Sequence, residues 1–76
     1  MAEKITTEYI TRSRLRISCQ VREFRKNNRL TQLELAKLVG VTRSAINKVE
    51  AGVWVSLDIL IKIGAVLDFE VALIKK

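Results

Sequence analysis

The sequence predicts an all-α domain of four to five helices that ends in a short β-strand. Three observations carry this. Proline is absent and only three glycines occur in 76 residues, which disfavours a turn-rich β fold. Apolar residues recur at helical spacing through most of the chain. Threonine or serine stands just ahead of three of the periodic stretches, where a helix needs a side-chain acceptor for its first free N–H groups.

The elements follow in chain order. Residues 1–11 show no clear periodicity and read as an N-terminal arm. Ile17, Val21 and Phe24 fall at i, i+4 and i+7, one face of a helix running from Arg12 or Ser13 to Asn27. Asn27 and Asn28 suit its end, since asparagine tolerates the left-handed conformation. Thr31 reads as an N-cap with Glu34 three residues on, the spacing of a capping box. Leu33, Leu35, Ala36 and Val39 make this second helix short and largely buried, and Gly40 ends it. Thr42 caps a third helix whose inward face is Ile46 and Val49. Arg43, Ser44, Asn47 and Lys48 lie on its other side, and Gly52 stops it. Ser56 caps a fourth helix with Leu57, Leu60, Ile61, Ile63 and Leu67 as its apolar positions. The helical domain thus covers 12–67. In the final segment, 68–76, Phe69, Val71 and Leu73 alternate with Glu70 and Ala72, the period of a strand. No second strand of comparable quality exists in the chain, so its partner is expected outside it.

Composition narrows the function. A chain of 76 residues is one domain, without room for a deep cleft between lobes. Hydrophobic residues make up 49% of it and mean hydropathy is +0.13, enough for a core and too much for intrinsic disorder. No run of about 18 apolar residues is present to span a membrane. The first eight residues lack the apolar stretch of a secretory signal, so a cytoplasmic, nucleoid-associated protein is expected. Cys19 is the single cysteine and histidine is absent. No disulfide, metal site, cofactor or catalytic residue is expected, because no nucleophile has a base nearby and no glycine-rich phosphate loop occurs.

Fourteen Lys and Arg face eight Asp and Glu, a net charge of +6 and a pI near 10.0. The excess is uneven. Residues 1–29 hold eight bases against three acids, whereas residues 54–76 hold three of each. One basic end suggests a polyanionic partner, a nucleic acid or an anionic surface. The alternative is a solvated helix face. Trp54 also has two readings: a partly buried ring capping the core, or an exposed anchor flanked by Val53 and Val55 at a partner surface.

Between Thr31 and Gly52 the sequence describes two capped helices of about eight residues joined by a three-residue turn. Ala36 is small enough for close helix approach, Gly40 permits a positive φ in the turn, and Val41, Ile46 and Val49 close the wedge. The string Leu30-Thr31-Gln32, Leu35-Ala36, Gly40-Val41-Thr42, Ile46-Asn47 and Glu50-Ala51-Gly52 resembles the helix-turn-helix domain of the lambda repressor and Cro family, also called the XRE family. The resemblance covers roughly residues 13–67. It departs at Arg29, where glycine is common, and at Val53-Trp54-Val55, which lacks the proline often seen before the fourth helix.

The resemblance implies a lambda-repressor-like fold and a sequence-specific, double-stranded DNA-binding repressor. The helix over about 43–50 would lie in the major groove, with Arg43 and Ser44 reading base edges, Lys48 one turn on and Thr42 at the rim. Arginine can donate two parallel bonds to guanine O6 and N7, and the Thr42 methyl can meet a thymine methyl. Gln32 and Asn47 match phosphate-binding positions, Gln32 at a helix start where free N–H groups attract anions. Arg25 and Glu50 match two positions that pair to tie helix 1 to the end of helix 3.

Family members bind DNA mostly as two-fold dimers, which implies a homodimer on an operator with two half-sites. The C-terminal strand would pair with its own copy across the axis and bury Phe69, Val71 and Leu73. A strand following Leu67-Asp68 is similar to HipB-type antitoxins, which implies autoregulation of a toxin–antitoxin operon and a kinase-like toxin as partner. The competing reading is a helix-turn-helix protein-interaction module, toxin-neutralising or adapter, with DNA contact secondary.

Overall fold

A computed structural model describes residues 5–53 and 56–76. Trp54 and Val55 lie outside the described residues, and so does the choice between the two readings of Trp54. Four helices occur among the described residues: α1 (Thr7–Asn27), α2 (Gln32–Val39), α3 (Arg43–Glu50) and α4 (Leu57–Leu67). Each starts at a hydroxyl side chain that accepts the backbone N–H three residues on. Thr6 accepts from Tyr9, Thr31 from Glu34, Thr42 from Ala45 and Ser56 from Ile59, at 3.0–3.2 Å. At α2 the box is reciprocal, since the Glu34 carboxylate accepts the Thr31 N–H at 2.9 Å. Each cap contributes about 1 kcal/mol to its helix.

Helix α1 begins at Thr7, not at Arg12 or Ser13, so the last five residues of the expected arm are helical. The reason is local. Thr6 caps the first turn, Glu8 favours the positive end of the helix dipole, and Arg12 reaches back to Glu8 at 3.4 Å. This first half has no buried face, and periodicity therefore gives no sign of it. At the other end the left-handed residue is Arg29, with φ 56°, rather than Asn27 or Asn28. Asn28 keeps the helical side of the map and returns its side-chain amide to the Phe24 carbonyl at 2.8 Å.

The core is Val21, Leu35, Ala36, Ile46, Val49, Ile63 and Leu67, with Phe24, Leu30, Val39, Val41, Leu60 and Phe69 packed around it. Helix α3 packs against both α1 and α2, and α4 packs against α2. Buried Ser18, not exposed Ile17, is the α1 residue that turns inward one helical turn before Val21. Its hydroxyl donates to the Leu15 carbonyl at 2.9 Å, so a small satisfied polar group fills a narrow contact. Leu33, Leu57 and Ile61 are exposed, against the expectation that they line the interior. Gly40 takes φ 82° and turns the chain from α2 into α3 within three residues.

No strand is present among the described residues. Residues 69–76 carry no regular secondary structure, because a strand needs a ladder and the described residues offer no second strand. Asp68 ends α4 in the left-handed conformation and the Phe69 N–H bonds the Gly64 carbonyl at 2.9 Å. The Phe69 ring then packs against Phe24, with centroids 5.5 Å apart. Phe69 is thereby part of the wall of the core, and not a free side chain of an exposed strand. A Cβ on Gly64 would lie 2.5 Å from the Phe69 carbonyl oxygen, so this return of the chain requires glycine there. Beyond Phe69 the segment runs back along α1. Val71 and Ile74 border a cleft of about 350 Å³ with Ile17, Gln20 and Phe24, and Lys76 comes beside Tyr9 and Arg12.

Candidate nucleic-acid interface

Seven of the eight residues of α3 divide at a period of 3.6, with Ala45 half-buried between the two faces. Ile46, Val49 and Glu50 are buried, while Arg43, Ser44, Asn47 and Lys48 are exposed. Arg43, Ser44 and Asn47 line one shallow depression. Arg43 also borders a second depression with Thr31, Gln32, Leu33 and Arg25 at the start of α2. The two hollows meet at Arg43, so the outer face of α3 and the first turn of α2 form one surface. Among the described residues no carboxylate pairs with Arg43 or Lys48. Both charges are therefore available to a polyanion. Thr42 is at the rim, with its hydroxyl oxygen committed to the Ala45 N–H at 3.1 Å. Its hydroxyl hydrogen and its methyl group have no partner among the described residues.

Behind this surface is a buried polar centre built on Glu50, whose side chain is 3% exposed. Arg25, 11% exposed, meets it with two parallel bonds, Nε to Oε2 at 2.6 Å and Nη2 to Oε1 at 2.9 Å. This fork is the strongest geometry available to an arginine and a carboxylate. The remaining terminal nitrogen of Arg25 donates to the Leu30 carbonyl at 2.7 Å, which fixes the turn between α1 and α2. Gln32 donates from Nε2 to Glu50 Oε1 at 3.2 Å. Arg22 donates to the Glu50 backbone carbonyl at 2.6 Å. No buried side-chain nitrogen or oxygen among the described residues lacks a partner.

The charges at this centre follow from the contacts. Burial alone pushes the Glu50 carboxyl up, but the bonds from Arg25 and Gln32 and the nearby charges of Arg25 and Arg22 outweigh it. Its pKa lies below the ordinary carboxylate value, and Glu50 is ionised at neutral pH. Arg25 is shifted upward, chiefly by its bond to Glu50. Glu34 is also lowered, first by the Thr31 backbone N–H that it accepts in the capping box.

The expected site residues thus fall into three groups. Thr42, Arg43, Ser44, Asn47 and Lys48 share an exposed helix face and its rim. Arg25 and Glu50 are joined beneath it, and Gln32 joins them as well as the surface, since only one of its two amide hydrogens is used on Glu50. Phe69, Val71 and Leu73 are elsewhere, in the segment after α4: Phe69 is half-buried, Val71 is partly exposed and Leu73 is fully exposed. Sequence reasoning missed Arg22, which it counted only among the basic residues of α1. The available signal was its position three residues before Arg25, on the same side of the helix.

No helix among the described residues is long and apolar enough to cross a membrane. No curated protein matches the chain. The family model described as helix-turn-helix matches residues 21–74, from the middle of α1 to the C-terminal segment. With the two capped helices, the Gly40 turn and the exposed face of α3 on one scaffold, the chain belongs to the helix-turn-helix family, in its lambda repressor/Cro-like class of DNA-binding regulatory domains.

Proposed function

We propose that the protein is a sequence-specific double-stranded DNA-binding transcriptional repressor, a homodimer that autoregulates a toxin–antitoxin operon. The observation that carries the DNA reading is the outer face of α3. Arg43, Ser44, Asn47 and Lys48 are exposed there, with both cations unpaired among the described residues, next to Gln32 at the start of α2. In this reading α3 enters the major groove, Arg43 and Ser44 read base edges with Lys48 and the Thr42 methyl, and Gln32 and Asn47 hold phosphates. The buried fork between Arg25 and Glu50 keeps the reading helix fixed against α1.

A titration against duplex DNA over a salt series tests this. With about 6–10 phosphate contacts per dimer, affinity falls about 10³–10⁵-fold between 50 and 200 mM salt. Arg43→Ala relaxes the preference at one base position in each half-site, whereas Gln32→Ala weakens all duplexes about equally. Salt-independent binding, or an unchanged preference profile in Arg43→Ala, rejects the reading.

The dimer is proposed to form by pairing of the segment after Phe69 with its symmetry mate. Leu73 and Ile74 are almost wholly exposed and this segment's backbone has no ladder partner among the described residues, a combination that favours pairing with another strand. Deleting residues 70–76 keeps Phe69 in the core and shifts the protein towards monomer in sedimentation. A truncated chain that remains dimeric moves the interface to α4. A kinase-like toxin is the proposed protein partner. The second reading, an interaction module with DNA contact secondary, draws on the exposed apolar side chains Val53, Leu57 and Ile61.

A further inference from the structure

Glu50 is held at two different places. Arg25 takes its carboxylate, and Arg22, one helical turn earlier on α1, donates from Nη2 to its backbone carbonyl at 2.6 Å. The two ties constrain different things. A glutamate carboxylate hangs on three rotatable bonds, so Arg25 holds α3 only through a side chain, less directly than a bond to its backbone does. The carbonyl belongs to the helix backbone itself. It is one of the last carbonyls of α3, which have no partner within the helix. A guanidinium placed there also meets the negative end of the helix dipole. Arg22 Nε stays 3.9 Å from Glu50 Oε1, and its side chain is 45% exposed, so its main polar contact is with the backbone.

Helix α3 has eight residues and is about 12 Å long. The end that Arg22 holds is the opposite end from Arg43. A small tilt at this pivot is carried along the rod to the side chains at its far end. We infer that Arg22 is a positioning residue for base reading. By binding the last carbonyl of α3 to α1, it sets the angle at which Arg43, Ser44 and Asn47 meet DNA, and it makes no DNA contact itself. This rests on the DNA-binding reading above.

The test compares wild type with Arg22→Ala, Arg22→Met and Arg22→Lys at a temperature where circular dichroism shows each to be folded. Two duplexes are used over a salt series: the best binder selected from a random-sequence pool, and a mixed-sequence control. In Arg22→Ala the ratio of the two affinities drops about tenfold, the size of one good base-edge contact. The salt slope stays at the wild-type value, because no phosphate contact is lost. Arg22→Met keeps the apolar stem without the donor and carries the same expectation should Arg22→Ala not fold. Arg22→Lys retains one donor and recovers part of the ratio. An unchanged ratio in the folded variants overturns the inference and leaves Arg22 a purely structural residue. A salt slope reduced by about one per copy also overturns it, since Arg22 is then a phosphate ligand. Wild type that binds both duplexes equally, or without salt dependence, removes the DNA reading itself.

Discussion

The α2–α3 pair and the segment after α4 both interleave apolar and polar residues, yet they end in opposite states. The pair has a cap at each helix start, a glycine at its turn, and a buried carboxylate that draws contacts from α1 and α2. Each helix start, and the turn between the two helices, is held by hydrogen bonds from within the pair. The C-terminal segment has one anchored residue, Phe69, and after it a run with exposed Leu73 and Ile74 and no ladder. The difference teaches where specification resides. Helices satisfy their own backbone and need only a face to bury. A strand depends on a second strand, and the described residues do not contain one.

The contrast is broken most forcefully at Glu50. Glu50→Ala leaves the nearly buried Arg25 without its counter-charge, which costs about 3–5 kcal/mol. In a domain of this size the melting temperature falls by more than about 10 °C. A melting curve close to wild type would mean that the fork contributes nothing net. The same centre gives a pH dependence with a definite sign. The folded pKa of Glu50 is lowered, so the folded state releases its proton more readily than the unfolded chain. The stabilisation is therefore complete above the ordinary glutamate value of about 4.3, and it is lost as pH falls through the lower folded value. Glu34 acts in the same direction. Urea midpoints of wild type and Glu50→Gln converge as pH falls below about 4; a constant gap down to pH 2 contradicts the assignment.

Gly64→Ala tests the one tight anchor of the C-terminal segment. Alanine is the better helix former, by about 1 kcal/mol, yet its Cβ would meet the Phe69 carbonyl oxygen. Net destabilisation of about 1–3 kcal/mol is expected, as for an overpacked contact. A more stable variant would show that the return of the chain at Phe69 is not held. The smallest effect belongs to Arg29, whose left-handed backbone carries a Cβ penalty. Arg29→Gly stabilises the fold by up to about 1 kcal/mol, offset in part by the freedom glycine gains when unfolded. A lower urea midpoint would assign the Arg29 side chain a stabilising contact of its own.

Much of the fold is readable because its signals are local. Thr31 with Glu34, Thr42 and Ser56 each announce a helix start within four residues, and Gly40 announces a stop. What escaped has physical causes. The first turns of α1 bury nothing, so apolar spacing cannot reveal them. Ser18 is buried because it is small, and a search for apolar residues passes over it in favour of Ile17. Phe69 alternates like a strand residue, but the slot that holds it exists only because Gly64 lacks a Cβ, five residues away on the preceding helix. The proximity of Arg25 to Glu50 is invisible to periodicity and entered through the family resemblance. Arg22 had no signal beyond its spacing.

The polar centre has a consequence for how the fold behaves as a unit. The caps join residues three apart and can form in an isolated helix. The ties to Glu50 join it to residues 18, 25 and 28 positions away, on α2 and α1. The complete set exists only when all three elements are docked at once. The centre therefore registers full assembly: a loose α2 forfeits the Gln32 bond, and a loose α1 forfeits both arginine ties. Partly opened forms consequently present a less firmly anchored α3, and the fully held outer face is the property of the completely assembled domain.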